Sequence, residues 1–138
     1  MIVADTSVLV KIVAPEPGSD IARSLRREEI VSPSIWIAEA ANVFWRKARA
    51  REMEADDADQ LFRILMNTIQ TIPMDGMAEQ ALALSFALDR PAYDCFFLRC
   101  AIERETFVVT SDARFASAVR RHRKWARHVR LLDEFRVR

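Results

Sequence analysis

The sequence predicts an α/β domain built on a mostly parallel sheet. Three observations predict it. Short apolar runs with strand character recur along the chain, at Ile2-Val3-Ala4, Ile30-Val31-Ser32 and Thr106–Thr110. Stretches with helical spacing separate them, the pattern of strands whose two faces are both covered by helices. With 138 residues, of which 51% are hydrophobic and 30% charged, the chain suits one core, and a single domain over residues 1–138 is expected.

Taken in order, Ile2-Val3-Ala4 ends at Asp5, and Thr6 to Lys11 reads as a turn entering a helix with Asp5, Thr6 or Ser7 as its cap. Pro15, Pro17 and Gly18 make a loop, and Ser19 or Asp20 caps a helix running to about Glu28. After the strand at 30–32, a long helix runs from Ser34 to about Arg51. Ile35, Ala38, Val43 and Phe44 give its apolar spacing, and Arg46, Lys47, Arg49 and Arg51 suit the negative end of its dipole. A second long helix spans about Ala55 to Gln70, with Asp56 and Asp57 in its first turn. Thr71–Met74 reads as a strand or an extended connector. Met77–Leu88 is helical, Pro91 opens a helix from about Ala92 to Arg104, and Ala113 to about Arg121 is the next helix. Val129–Leu132 closes the sheet.

Composition removes several function classes. There are two glycines, Gly18 and Gly76, which excludes the Gly-rich cradles of a Walker loop or a dinucleotide fingerprint. Cys95 and Cys100, five positions apart on an expected helix, point about 140° away from each other. They read as free buried thiols in a reducing compartment. The start has charges at Asp5 and Lys11 and lacks a cleavage site for a signal peptide, and no apolar run approaches the roughly 20 residues of a membrane span. A soluble, cytoplasmic protein without a membrane association is expected.

Four acids stand where chemistry is expected. Asp5 follows the first strand and Asp112 follows Thr106–Thr110 by two residues. In an open parallel sheet, ligands collect beyond the carboxyl ends of strands at a switch in strand order, so the two share a crevice if their strands are neighbours. Each also fits a plain helix cap. Glu39 and Asp94 lie inside helices among apolar neighbours, and a buried carboxylate is costly unless it is paired or holds metal. Neutralisation by an arginine, or first-turn N–H groups for Asp94, would satisfy them equally. The acids are 34, 55 and 18 positions apart, so spacing alone does not establish convergence. If they do converge, hard oxygen donors suit Mg²⁺ or Mn²⁺, and in its absence the crowding raises at least one pKa.

The segments M-I-V-A-D-T-S-V-L-V-K, A-E-A-A-N-V-F-W, A-Y-D-C-F-F-L and F-V-V-T-S-D-A-R-F, in this order over nearly the whole chain, resemble the PIN domain. More narrowly they are similar to VapC-type toxins of bacterial toxin–antitoxin systems. The resemblance implies a PIN-like three-layer α/β/α sandwich. It implies a metal-dependent endoribonuclease in which Asp5, Glu39, Asp94 and Asp112 are catalytic and hold Mg²⁺ or Mn²⁺, with Thr6 and Thr110 in support. The products would be a 5′-phosphate and a 3′-hydroxyl. Arg90-Pro91 departs from the small polar residue common before the tyrosine, and Arg99 from a common alanine. The resemblance also implies a VapB-like antitoxin as partner and a homodimer.

The net charge of +1 conceals a split: residues 1–112 carry a balance of −6 and residues 113–138 one of +7. Arg120, Arg121, Arg123, Lys124 and Trp125 form a basic segment able to hold phosphate and stack a base, or a merely solvated helix end. His122 and His128 read as parts of that exposed stretch. Trp36, Phe44, Trp45, Leu61, Phe62 and Leu65 supply core, with a share left for a groove taking a partner segment. Two other readings stand beside the toxin: a PIN nuclease processing RNA without an antitoxin, and a non-catalytic RNA-binding module. A receiver-like signalling domain would need an acidic pair at the start and a lysine after a late strand, and the chain has neither.

Overall fold

The computed structural model describes residues 1–135, so Arg136 and Arg138 of the basic segment lie outside the described residues. Five strands, β1 (Ile2–Ala4), β2 (Ile30–Pro33), β3 (Gln70–Ile72), β4 (Val108–Thr110) and β5 (Val129–Leu131), form one sheet in the order β3-β2-β1-β4-β5. Each pairing is parallel, with Val3 in register with Val31 on one side and Val108 on the other. Every residue of β1 and β4 is buried. Strands covered on both faces need apolar side chains at successive positions, which is why these segments read as unbroken hydrophobic runs.

Seven helices cover the sheet as α/β/α layers: α1 (Thr6–Val13), α2 (Ser19–Ser24), α3 (Ile35–Arg49), α4 (Ala55–Thr68), α5 (Ala78–Leu88), α6 (Ala92–Glu103) and α7 (Ala113–Arg120). Helix α6 lies across β1, β2 and β4 with α5 packed on it, while α1 packs with α2, α3 and α4. Trp36 of α3 is fully buried and donates its indole N–H to Thr71 Oγ1 at 2.9 Å, tying α3 to the edge strand β3. Phe62 stands tilted against Trp36 and Phe44, with ring centroids 6.4 and 6.2 Å away. Trp45 departs from the core reading of this set. It is 55% exposed, with the Arg49 guanidinium over its ring at 5.2 Å.

Two element ends differ from the expected ones. The helix from Ser19 stops at Ser24 and tightens into a 3₁₀ turn over Leu25–Arg27, because the chain must enter β2 at Ile30 while Leu25 stays buried. Helix α4 ends at Thr68, since Gln70 already pairs with Val31 in β3. Gly18 takes φ +89° before α2, so a side chain there meets backbone strain although the neighbouring Leu132 and Lys11 side chains leave it ordinary contact distance.

The histidines correct an expectation. His128 is buried rather than exposed, and its Nδ1 stands 2.7 Å from the carbonyl oxygen of Thr106 while Arg127 Nε donates to its Nε2 at 3.3 Å. That pattern assigns the proton to Nδ1, which donates to the carbonyl. An imidazole here satisfies a backbone acceptor that the short ladder between β4 and β5 leaves over. His122 is half-buried, with its ring centroid 5.3 Å from that of Trp125.

Candidate active site

The order β3-β2-β1-β4-β5 reverses direction between β1 and β4, so the crevice beyond their carboxyl ends is the switch point of the sheet. Asp5 follows β1 directly and Asp112 follows β4 by two residues. Their backbones are tied together, since Asp5 N–H donates to Val109 O at 3.1 Å. The sequence left open whether the two strands are neighbours. They are.

Both aspartates are helix caps and site residues at once. Asp5 Oδ1 accepts Val8 N–H at 3.2 Å as the N-cap of α1, and Asp112 Oδ1 accepts the N–H groups of Arg114 and Phe115 at 2.9 and 3.1 Å as the N-cap of α7. A cap uses one carboxylate oxygen, and the other is left for the crevice. Ser7 Oγ donates to Asp5 Oδ1 at 2.6 Å and accepts the N–H of Ser111 at 3.3 Å, linking the two caps. Nothing in the sequence reading singled out Ser7 for this. Its position two residues after Asp5 in a capping turn is the local signal for it.

Glu39, in the second turn of α3, accepts Thr6 Oγ1–H at 2.7 Å. Thr110 is fully buried at the end of β4, and its hydroxyl accepts Asp112 N–H at 3.0 Å. Thr6, expected in a supporting role, thus holds the Glu39 carboxylate, and Thr110 holds the backbone of Asp112. Asp94, in the first turn of α6, pairs with Arg90, and the same Arg90 Nη2 reaches Asp112. The turn from α5 to α6 aims it there: Asp89 takes a left-handed conformation at φ 52° to end α5, and Pro91 caps α6. In the sequence Arg90 departs from the small polar residue of the motif. Its spacing of four from Asp94 was the available signal.

The electrostatics show one crowded group of acids. Burial raises Asp5 from 3.8 to about 6, against the lowering effect of the Ser7 and Thr110 hydroxyls and Val8 N–H, and the charge of Asp94 raises it further. Glu39 is raised by burial and by Asp94, with Thr6 opposing. Asp94 is raised by burial and by Asp112, although Arg90 lowers it. These mutual effects place all four carboxylates in one field.

Among the described residues, no three His, Cys, Asp or Glu side chains close on a point as a ready-made metal cage. Mg²⁺ does not require one, because it retains several waters and is bound through one or two carboxylates plus substrate oxygens. The donor set is all hard oxygen, three of its acids are raised chiefly by burial, and among the described residues the cation paired with two of the four is Arg90. Residues of this kind fit Mg²⁺ or Mn²⁺.

The basic segment sits elsewhere. Arg123, Lys124 and Trp125 precede β5, which places them at the amino ends of the parallel strands, opposite the acids. Lys124 and Trp125 line a cavity of about 280 Å³ with residues of α5 and α6. Arg120 pairs with Glu134. Arg121 alone of the five expected RNA contacts lines a cavity reaching back to Arg90.

Comparison with solved structures finds the same fold. A Pyrobaculum aerophilum protein, PAE2754, aligns over 96% of this chain and 84% of its own, at 16% identity and a TM-score of 0.74. A toxin–antitoxin complex from Klebsiella pneumoniae aligns over 81% of this chain and 87% of its own, at 16% identity and a TM-score of 0.61. FitAcB from Neisseria gonorrhoeae aligns over 86% and 93%, at 18% identity and a TM-score of 0.55. No curated protein matches the sequence. The family model described as the PIN domain matches residues 2–121, and with the acids gathered at the switch point of this sheet the chain belongs to the PIN domain family, a family of nucleases.

Proposed function

We propose that this chain is a metal-dependent endoribonuclease of the VapC type, acting as the toxin of a type II toxin–antitoxin pair. The observation that carries the nuclease chemistry is the convergence of Asp5, Glu39, Asp94 and Asp112 from four separate segments on one crevice. Mg²⁺ or Mn²⁺ would be held there through one or two of the carboxylates of Asp5, Glu39, Asp94 and Asp112, and would supply Lewis acidity toward a phosphodiester and lower the pKa of a bound water. The chain's own residues do the rest. Asp5 and Asp112 are fixed by the helices they cap, Glu39 is held by the Thr6 hydroxyl, and Ser7 keeps the β1 and β4 ends in register. Glu39, held by the Thr6 hydroxyl, would take the proton of an attacking water.

The fold shared with a Klebsiella pneumoniae toxin–antitoxin complex supports a VapB-like antitoxin as partner. Phe86 (79% exposed) and Leu82 on α5, with Ile64 and Met66 on α4, leave apolar surface for such a partner or for a homodimer. Among the described residues no helix is long and apolar enough to cross a membrane.

The test is cleavage of RNA by the purified protein with Mn²⁺ or Mg²⁺ and with EDTA. Cleavage that needs the ion and falls about 10²–10⁴-fold in Asp5→Asn and Asp94→Asn is expected. Undiminished cleavage by either variant, or full activity in EDTA, overturns the reading.

A further inference from the structure

We infer that a groove between the α5–α6 turn and α7 holds the backbone phosphates of the RNA strand next to the scissile bond. Arg90, Arg114 and Arg121 are its phosphate ligands. The inference deepens the ribonuclease reading above and rests on it.

The groove is a cavity of about 420 Å³ with Asp89 and Arg90 on one wall and Arg114, Ser117 and Arg121 on the other. The second wall follows from the helix: positions 114, 117 and 121 of α7 and its C-cap lie three and four residues apart, on one face. Arg114 and Arg121 are two turns apart, roughly 10 Å along the axis, so they meet an extended strand at successive points. Both are exposed, and among the described residues neither lies within ion-pair distance of a carboxylate.

The groove ends at the acids. Arg90 lines it and also bonds Asp94 and Asp112, and Asp112 caps the helix that forms the second wall. Arg90 Nε is buried without a hydrogen-bond partner among the described residues, so this guanidinium retains an unused donor. Arg90 is shared with Asp94 and Asp112, so Arg114 and Arg121, against the one lining carboxylate Asp89, carry the positive charge free to meet an anion. The planar fork of arginine matches phosphate oxygens in pairs. The strand therefore runs from the crevice along α7, a path that takes in Arg121 of the basic segment and not Arg123, Lys124 or Trp125.

The experiment compares Arg114→Gln/Arg121→Gln with Arg26→Gln/Arg27→Gln. The second pair removes the same charge from the exposed turn before β2. Fluorescence anisotropy of a labelled single-stranded RNA in EDTA, across a salt series, reads binding without cleavage. KM and kcat in Mn²⁺ are read in parallel, with thermal melts to show that both variants fold. The groove variant is expected to bind about tenfold more weakly, to lose about 1.4 from the slope of log K against log salt (about 0.7 per phosphate), and to raise KM with kcat nearly unchanged. The control is expected to stay within about twofold of wild type. Equal losses in both variants, or an unchanged slope in the groove variant while the wild type binds and cleaves, overturn the groove and leave the ribonuclease reading standing. A wild type that neither binds nor cleaves RNA overturns the ribonuclease reading and the groove with it.

Discussion

The guanidinium of Arg90 donates to Asp112 Oδ2 at 3.0 Å across 22 positions of sequence, and with the same nitrogen to Asp94 Oδ2 at 3.1 Å. It occupies the place between two carboxylates that a divalent cation would compete for.

Removing Arg90 is therefore expected to strengthen metal binding and weaken the metal-free fold. In Arg90→Gln, titration calorimetry with Mn²⁺ should show binding about three- to tenfold tighter, because the pair is partly exposed and its attraction modest. The melting temperature in EDTA should fall, and its rise on adding Mn²⁺ should grow. Mn²⁺ binding no tighter than wild type would show that Arg90 does not compete for the site.

Asp5 sets a pH dependence. Its pKa is raised on folding from 3.8 to about 6, so between those values the folded state binds more protons than the unfolded one. Stability from this group is then fully present below about pH 3.8 and lost as pH rises through about 6. The loss is about 1–3 kcal/mol. Asp5→Asn keeps a good N-cap without the charge. It should melt a few degrees above wild type at pH 7.5 in EDTA and at nearly the same temperature at pH 4. Equal melting at pH 7.5 would dispose of the crowded-acid account.

The thiols should be silent. Cys95 and Cys100 are fully buried, and burial pushes Cys95 to about 12 and raises Cys100. Thiolate is the reactive form. Ellman's reagent should find no thiol in the native protein at pH 8 and two after guanidinium unfolding. Fast reaction of one in the native state contradicts the packing of α6.

His128→Ala should destabilise the fold by about 1–3 kcal/mol, since it strands the Thr106 carbonyl inside the protein. His122→Ala, from a half-buried ring, should cost less. Urea melts of the two variants give the comparison, and equal small losses would show that water replaces the imidazole.

Much of this protein was legible in its sequence because the physics involved is local. Apolar runs with no polar alternation report strands buried on both faces, so β1, β2 and β4 and the α/β class follow from residues 2–4, 30–32 and 106–110. Asp5 and Asp112 were legible as caps because a cap is a matter of three residues. Glu39 and Asp94 were legible as unusual because a carboxylate among apolar neighbours is costly wherever it is.

Three-dimensional packing decided what depends on distance rather than on order. That Asp5 and Asp112 share a crevice required β1 and β4 to be neighbours across some hundred residues. Arg90 became the counterion of the site because a left-handed Asp89 turns it back between two acids. His128 went inward from between the exposed Arg127 and the buried Val129, where its ring nitrogen meets the carbonyl of Thr106. Arg90, Arg114 and Arg121, which line one groove, are scattered through the sequence, whereas Arg123, Lys124 and Trp125 of the basic run lie at the opposite end of the strands from the acids. Charge composition is a sum over the chain, and only the fold assigns each charge to an edge of the sheet.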